Sequence, residues 1–279
     1  MKAHFHKYHA LENDFLVIES NQTRIDKIKI GGIARLLCDR HKGVGADGVV
    51  YLSPSKTADI KADIFNADGT WAEKSGNGLR IAGCFLALKY SRTKKFTIQT
   101  ATTTDSVVVG KNIGRSQIVE AGIGEPSFET KSLPMRIKER YFINKTLAIG
   151  RTRVPVTCLS VGNPHCIVHC DAIPSGWKEL GSDIESSSYF PHGTNVEFVR
   201  KINRKKIEVK EWERGVGETE SSGTGAAASV CALVMLGLIE RKCEVQFQTG
   251  TLMVEWSADD NIVRIKGPVS FIAQGTAEI

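Results

Sequence analysis

Two short loops of matching composition occur in the two halves of the 279-residue chain, and both could bind an anion. The first reads Ser75-Gly76-Asn77-Gly78, the second reads Ser222-Gly223-Thr224-Gly225, and each leads directly into an apolar segment. Glycines at the start of a helix leave backbone N–H groups free to point at a ligand, and a helix N-terminus carries about half a positive charge. The two loops therefore predict a clamp for a carboxylate, with a serine hydroxyl at each end.

Helix capping is the alternative role for each loop, because serine, threonine and asparagine are favoured N-caps in any protein. The matched repetition favours a functional role for the pair. In that case the ligand contacts the first residues of both helices, which are Gly76, Asn77, Gly223 and Thr224.

Other polar residues that could recognise a zwitterion stand in predicted loops beside strands, where ligand-binding residues tend to gather. Asparagines in loops commonly serve turns, but several of them together could give amide hydrogen bonds to a ligand. Arg214 could pair bidentately with a carboxylate. The candidates are Asn13, Asn66, Asn163, His165, Asn195, Glu213 and Arg214.

No pattern in the sequence requires a metal or an organic cofactor. His4, His6 and His9 resemble a ligand group, but His4 and His6 share one face of a predicted strand and His9 falls at its end. A structural or solvent-facing role is therefore favoured for them. The chain has no P-loop or Rossmann fingerprint and no element that calls for a pyridoxal lysine.

Short runs of alternating apolar and polar residues dominate the elements that must position these groups. They predict strands at 15–19, 61–65, 96–100, 106–110, 195–199, 206–212, 244–248 and 252–256. Helical patterns are fewer, at 31–40, 78–90 and 225–241. Many strands with a few helices predict an α+β fold rather than a doubly wound sheet. Because each serine loop precedes a long apolar helix, we expect two copies of one strand–loop–helix unit.

Composition sets the class of protein. The chain is 41% hydrophobic and 24% charged, which is typical of a globular protein with its own core. Its net charge of +6 comes from short basic clusters such as Arg204, Lys205 and Lys206, which we interpret as solvated turns rather than a nucleic-acid surface. No apolar stretch is long enough for a membrane span, and the N-terminus lacks a signal-peptide pattern, so we expect a cytoplasmic protein. The seven scattered cysteines predict reduced, mostly buried thiols.

Long motifs along the whole chain resemble those of the diaminopimelate epimerase family. They are KYHALENDF (7–15), DRHKGVGADG (39–48), FNADGTWAEKSGNGLR (65–80), GNPH (162–165), TNVEF (194–198) and WERGVGETESSGTGA (212–226). The chain departs from the family's usual Gly-Leu-Gly lead-in at Ala10 and Glu12. The resemblance implies two pseudo-symmetric domains, each a curled, mostly antiparallel β-sheet around a central helix, with the site between them and no cofactor.

The resemblance also implies a role for each candidate residue. In the family, two cysteines flank the α-carbon of the substrate, and one removes a proton while the other delivers one to the opposite face. Those positions align with Ser75 and Ser222, and His165 and Glu213 align with the residues that assist them. The distal end of diaminopimelate would be held by Asn66, Asn163, Asn195 and Arg214. The reacting end would be held by Asn13, Gly76, Asn77, Gly223 and Thr224.

Serine at both of these positions is the main departure from the family. A thiol has a pKa near 8.5, whereas an alcohol is a far weaker acid, close to water. Over a gap of about five units, the base costs on the order of 7 kcal/mol more to form. The rate would fall by about five powers of ten. General-base help from His165 could recover part of this loss. Cys84 and Cys231 lie about 13 Å along their helices from the serines and cannot replace them.

Three functions follow from these residues. The first is an epimerase of diaminopimelate with reduced activity, which belongs to the route to lysine and peptidoglycan precursors. The second is an isomerase or epimerase of another amino acid, in which serine positions the substrate and His165 or Glu213 moves protons. The third is a catalytically silent amino-acid-binding protein. We expect domains at 1–121 plus 267–279 and at 122–266, a small amino-acid ligand and no nucleic-acid partner. A homodimer is compatible with all three.

Overall fold

The computed structural model describes residues 2–21, 29–90, 93–101 and 103–279. Within them the helices are α1 (Ile30–Cys38), α2 (Gly76–Lys89), α3 (Trp177–Glu185) and α4 (Gly223–Met235), with one short 3-10 helix at Thr130–Ser132. The strands are β1 (Lys2–Ala10), β2 (Asn13–Glu19), β3 (Gly48–Ser53), β4 (Ile60–Asn66), β5 (Trp71–Ala72), β6 (Lys95–Gln99), β7 (Thr104–Ile113), β8 (Ser116–Gly124), β9 (Lys145–Ile149), β10 (Thr152–Ser160), β11 (Pro164–Cys170), β12 (Asn195–Asn203), β13 (Lys206–Glu213), β14 (Gly217–Thr219), β15 (Lys242–Phe247), β16 (Gly250–Trp256) and β17 (Val263–Glu278). The chain divides into two compact units, Met1–Gly122 with Lys266–Ile279, and Ile123–Ile265.

The first unit is a closed sheet wrapped around α2. Its strands pair in the order β17–β1–β2–β3–β4–β6–β7–β8, and β8 pairs back with β17. The pairs β2–β3 and β4–β6 are parallel. The helix is buried on almost every side, as expected of a helix that is apolar all round. Gly83 lets it approach β7, because a Cβ at this position would overlap the side chain of Val107.

The second unit repeats this plan around α4. Its strands pair in the order β9–β10–β11–β12–β13–β15–β16, with the parallel pairs now β11–β12 and β13–β15. The small strands β5 and β14 take the same place beside β4 and β13. The α4 helix is rich in alanine and buried over residues 223–233, so the surrounding strands pack close to its backbone. The α+β class and the repeated strand–loop–helix unit predicted from the sequence are therefore confirmed.

One predicted boundary is wrong, and the structure gives the reason. The apolar pattern at 225–241 predicted a helix of that whole length, but α4 ends at Met235. Gly237 adopts a left-handed φ of 71°, and the N–H of Leu238 returns to the carbonyl of Leu233. A glycine in this conformation closes the last turn of a helix, so the apolar residues after it belong to a turn.

The basic cluster at residues 204–206 and the seven cysteines lie where the sequence predicted them. Residues 204–205 form the turn between β12 and β13, and Lys205 and Lys206 pair with Glu240 and Glu244. All seven cysteines are free, and six of them are buried, with Cys170 half-buried. No helix in the described part of the chain is both long and apolar enough to cross a membrane.

Candidate active site

The two serines occupy the same local geometry in the two units. Ser75 precedes α2 with φ −140° and ψ 119°, and Ser222 precedes α4 with φ −135° and ψ 132°. Each Oγ accepts a hydrogen bond of 3.0 Å from the backbone N–H three residues later, at Gly78 and Gly225. Both serines are thus N-caps, and each hydroxyl keeps its own hydrogen for a second partner.

In the first unit, the structure brings Asn13 and Asn77 into direct contact. Nδ2 of Asn77 donates to Oδ1 of Asn13 at 3.0 Å, and Nδ2 of Asn13 donates to Asp47 at 3.0 Å. The guanidinium of Arg80 donates to Oδ1 of Asn77 at 2.5 Å. Arg80 is fully buried, and this burial lowers its pKa to about 9. The orientation of both amides is therefore fixed before any ligand binds.

The other candidates of the first unit lie at element ends. Asn66 is the last residue of β4, and its Nδ2 donates to Oγ1 of Thr70 at 3.0 Å in the turn that follows. That contact is the turn role that asparagine commonly plays. Gly76 is the first residue of α2 and is buried.

In the second unit, a continuous chain of hydrogen bonds links Ser222 to His165. Oγ of Ser222 lies 3.4 Å from Oγ1 of Thr224, and Nδ2 of Asn163 donates to the same Oγ1 at 3.3 Å. Oδ1 of Asn163 lies 2.9 Å from Nε2 of His165. On the other side of the imidazole, Nδ1 lies 2.5 Å from Oε1 of Glu197. Three residues predicted from the sequence are thus joined to Ser222, and His165 reaches it through Asn163 and Thr224.

The protonation states in this series of hydrogen bonds follow from burial and from the atoms in contact. His165 is fully buried, and burial lowers its pKa to about 3, so the ring is neutral and carries one hydrogen. The Nε2 atom faces an amide oxygen, which only accepts, so the ring hydrogen is on Nε2. Nδ1 is then an acceptor, and the hydrogen between it and Glu197 comes from the carboxyl group. Burial raises the pKa of Glu197 well above its usual range, which agrees with a protonated acid.

Asn195 and Arg214 form a second group near the same strands. Asn195 lies beside His165 in the parallel β11–β12 ladder, and its Nδ2 donates to the carbonyl of Pro164 at 3.1 Å. Its Oδ1 accepts the backbone N–H of Arg214 at 2.9 Å. The Arg214 side chain runs against Gly193, whose φ of 70° and lack of a Cβ make room for it. It lines an open pocket of the second unit together with Glu185 and His192.

Glu213 is the last residue of β13 and is half-buried. Its charge acts on His165, where it raises the pKa against the larger lowering effect of burial. Gly223 is the first residue of α4 and is buried. All candidates of the second unit therefore belong to the ends of β11, β12 and β13 and the start of α4.

Two buried acids near the site were not predicted from the sequence. Glu197 and Glu211 are directly opposite residues of the antiparallel pair β12–β13, with exposures of 0% and 1%. Burial raises the pKa of the Glu211 carboxyl well above its usual range, and the hydroxyl of Ser222, acting as a hydrogen-bond donor, lowers it. The same carboxylate lies against Gly225 at the start of α4. The alternation of β13 contained the signal, because Ile207, Val209 and Glu211 share its buried face. Among the residues that the structure describes, no group of three or more His, Cys, Asp and Glu side chains could hold a metal ion.

Known proteins match this chain along most of its length. A family profile described as "Diaminopimelate epimerase" matches residues 5–128 and 157–272. A protein named diaminopimelate epimerase from Caldanaerobacter subterraneus subsp. tengcongensis is 38% identical over 280 residues, covering 99% of each chain. The diaminopimelate epimerase of Synechocystis sp. is 36% identical over 284 residues, covering 100% of each.

Solved structures share the fold at low sequence identity. A hydroxyproline epimerase from Agrobacterium vitis has a TM-score of 0.73 at 13% identity, covering 99% of this chain and 92% of that one. A phenazine biosynthesis protein of the PhzF family from Bacillus anthracis has a TM-score of 0.67 at 15% identity, covering 100% of both chains. At such identities the likeness concerns the two-unit α+β architecture alone.

Proposed function

Because the chain belongs to the diaminopimelate epimerase family, we propose that it interconverts LL- and meso-diaminopimelate by moving the α-proton of one amino-acid end. The reaction makes the protein an isomerase of the pathway to lysine and peptidoglycan precursors. It needs no cofactor if the protein itself supplies a base on one face of the α-carbon and an acid on the other. The observation that carries this proposal is the matched pair of capped helix starts at Ser75 and Ser222.

The proposed roles follow that two-sided chemistry. Ser75 and Ser222 act on opposite faces of the α-carbon, and His165 and Glu213 assist them through charge and hydrogen bonds. The α-carboxylate is held by N–H groups at the two helix starts, at Gly76, Asn77, Gly223 and Thr224, with Asn13 beside them. The distal end is held by the amides of Asn66, Asn163 and Asn195 and by the guanidinium of Arg214.

Epimerisation or isomerisation of a different amino acid is the second candidate function. Serine at both reacting positions favours it, because an alcohol is a far weaker acid than a thiol and the ordinary two-thiol chemistry is not available. In that case the serines position the substrate, and a neighbouring acid or base moves the proton.

Exchange of the α-hydrogen with solvent deuterium tests both candidates. The protein is incubated in D₂O with LL-diaminopimelate, meso-diaminopimelate and a panel of other amino acids, and deuterium at the α-carbon is measured by mass spectrometry. The Ser222→Ala variant is the matched control. We expect exchange and a changing LL to meso ratio with diaminopimelate. Exchange with another amino acid alone would favour the second candidate, and binding without any exchange would show a silent binding protein.

We further propose that the two compact units are the domains of the protein, with boundaries near residues 121 and 267. The contact pattern within each unit and the repeated pairing order support this division. Limited proteolysis should therefore cut first near residues 257–262, which connect β16 to β17 and are largely exposed. A cytoplasmic location and a homodimer stay predictions.

A further inference from the structure

The two serine loops differ in what lies beneath them. Gly78 and Gly225 are each the third residue of their helix, and each donates its N–H to the capping serine. A Cβ added to Gly78 would meet Cδ1 of Ile64 at 3.2 Å, whereas one added to Gly225 would overlap the carboxylate of Glu211. Ile64 on β4 and Glu211 on β13 thus hold equivalent places in the two units.

The neighbouring strand repeats the contrast. Ile64 lies opposite Val50 in the β3–β4 ladder, and both are buried. Glu211 lies opposite Glu197 in the β12–β13 ladder, and both are buried as well. The helix start of Ser75 therefore lies on the apolar side chain of Ile64, whereas that of Ser222 lies on the carboxyl groups of both Glu211 and Glu197. Packing alone does not require this difference, because the same backbone plan accepts valine and isoleucine.

The hydrogen-bond chain of the second unit has one direction. The Glu197 carboxyl donates to His165, whose Nε2–H donates to Asn163, whose Nδ2–H donates to Thr224. Because the Thr224 hydroxyl already accepts from Asn163, its own hydrogen is available for Oγ of Ser222 at 3.4 Å. The Ser222 hydrogen is then left for the Glu211 carboxylate, which lies against Gly225 and whose pKa the Ser222 hydroxyl lowers. Every donor points the same way, so the chain begins at a protonated acid and ends at an acceptor.

The acceptor at the end of the chain is the second buried carboxyl. Two adjacent buried carboxyls do not both ionise, because each charge opposes the other. Since Glu197 keeps its hydrogen for His165, Glu211 is the member of the pair that accepts. Its Oε2 atom is buried and has no hydrogen-bond partner among the described residues.

We propose that Glu211 is the proton acceptor for the Ser222 hydroxyl and supplies the basicity that serine lacks. The inference rests on the function proposed above. As Oγ of Ser222 takes the α-proton of the bound amino acid, its own hydroxyl proton passes to the Glu211 carboxylate, and the C–H electron pair stays on the α-carbon. Serine remains an alcohol and Glu211 becomes a carboxylic acid. The reverse transfer returns a proton to the same face, so the step needs no further reactant. Glu211 does not itself contact the α-carbon, because it acts on the substrate only through the hydroxyl of Ser222.

The surroundings set the pH range of this step. Burial raises the pKa of Glu211 well above its usual range, and a charge on Glu197 of β12 or on Glu213 of β13 raises it further, while the hydroxyl of Ser222 lowers it. Because Glu197 keeps its proton, Glu213 is the charged neighbour that acts on Glu211. His165 on β11 is neutral and adds no charge. The working form is the ionised one, so exchange should rise with pH as Glu211 loses its proton.

The first test measures deuterium exchange into diaminopimelate between pH 6 and pH 9 for the wild type, Glu211→Gln and Glu208→Gln. Glu208 is a partly exposed carboxylate of the same strand, paired with Arg200. We expect Glu211→Gln to lower kcat about 100-fold or more with an unchanged KM and to remove the rise with pH, since general-base help is typically worth about 10² to 10⁴ in rate. Glu208→Gln should match the wild type. An unchanged kcat and pH profile in Glu211→Gln would overturn the proposal.

A second comparison separates proton transfer from a structural role. A thiol at position 222 ionises without help, so in a Ser222→Cys background the Glu211→Gln change should alter the rate less than threefold. Equal losses in the serine and cysteine backgrounds would mean that glutamine only disturbs packing, and would also overturn the proposal.

A third measurement needs no substrate. Carboxyl carbons of ¹³C-labelled glutamate are titrated by NMR in the wild type and in Ser222→Ala, with Glu211→Gln used to assign the signal. We expect Glu211 to titrate above the ordinary range and to shift higher in Ser222→Ala, which lacks the donor to the carboxylate. No shift would refute the Ser222–Glu211 pair. A shift without α-hydrogen exchange of any amino acid would instead refute the proposed function and leave the pair intact.

Discussion

The carboxyl group of Glu197 donates a hydrogen bond to Nδ1 of His165 across 2.5 Å, and both side chains are fully buried. The pair is neutral in the folded protein, because burial lowers the pKa of the imidazole and raises that of the carboxyl. In the unfolded chain the two groups titrate at ordinary values of about 6.5 and 4.3. The stability of the protein is therefore linked to pH through both residues.

Replacing Glu197 with glutamine should make stability less dependent on pH. The folded pKa of Glu197 lies above the unfolded one, so its contribution is present below about pH 4.3 and is lost as pH rises toward the folded value. Glutamine keeps an N–H donor for His165 and does not titrate. Urea unfolding between pH 5 and pH 8 should show a wild-type free energy that falls relative to Glu197→Gln. Parallel curves would contradict a buried, protonated Glu197.

Below about pH 6.5, the free energy of unfolding should depend on His165, and it should fall as the pH falls. Its folded pKa of about 3 lies below the unfolded value, so between these two the unfolded chain binds a proton that the folded protein does not. Stability should therefore fall as pH drops below about 6.5. His165→Gln should flatten this pH dependence, whereas the exposed control His192→Gln should retain it. An unchanged slope in His165→Gln would place the titrating group elsewhere.

Restoring both thiols should restore the two-sided chemistry. Ser75→Cys with Ser222→Cys should raise epimerisation of diaminopimelate by several powers of ten, because a thiol is the stronger acid by about five pKa units or more. Each single variant should gain much less, although one cysteine is enough to exchange the α-hydrogen of one stereoisomer. The LL to meso ratio is followed under reducing conditions. A folded double variant that binds diaminopimelate without epimerising it would show that the substrate is a different amino acid.

Removing the Arg214 side chain should abolish binding of diaminopimelate and spare the fold. A bidentate contact to a carboxylate contributes several kcal/mol, because its loss leaves that carboxylate unpaired. Calorimetric titration of Arg214→Ala measures the effect. The control is Arg200→Ala, which removes the same charge at a partly exposed arginine that pairs with Glu208. An unchanged affinity in Arg214→Ala would exclude a role at the distal carboxylate.

The hairpin between β1 and β2 should gain stability from a glycine. Leu11 and Glu12 form its two-residue turn, and both have positive φ angles, of 52° and 67°. Left-handed backbone costs a residue with a Cβ about 1 kcal/mol or more, and glycine avoids that cost. Glu12→Gly should therefore raise the free energy of unfolding by roughly 1 kcal/mol in thermal or urea unfolding, whereas Glu12→Ala should not.

The sequence predicted the elements and the repeated loops because those depend on local patterns. Alternation located β4, β6, β13 and β16, and the Ser-Gly-x-Gly loops located the starts of α2 and α4. It did not reveal α3, where a glycine and several polar residues weaken the apolar stripe. It also could not show that Asn13 contacts Asn77, because 64 residues separate them and only the closed sheet brings them together.

The buried charges were harder to predict than the elements. A glutamate in an alternating strand is ordinarily placed at a solvent-facing or rim position, so the inward phase of Glu211 carried little weight against its charge. Arg80 lies on a helix that is buried on all sides, where no periodicity distinguishes inside from outside. Burial of such groups depends on partners from distant strands, which a single sequence does not specify.

The pairing of β17 with β1 has a consequence for biosynthesis. Residues 2–9 have residues 270–278 as their partners, so β1 leaves the ribosome long before β17, the strand with which it pairs. The second unit is continuous from residue 123 to residue 265 and is fully translated before that partner appears. Vectorial synthesis therefore delivers one complete unit while the other still presents an open strand edge, which is a site for mispairing with other nascent chains.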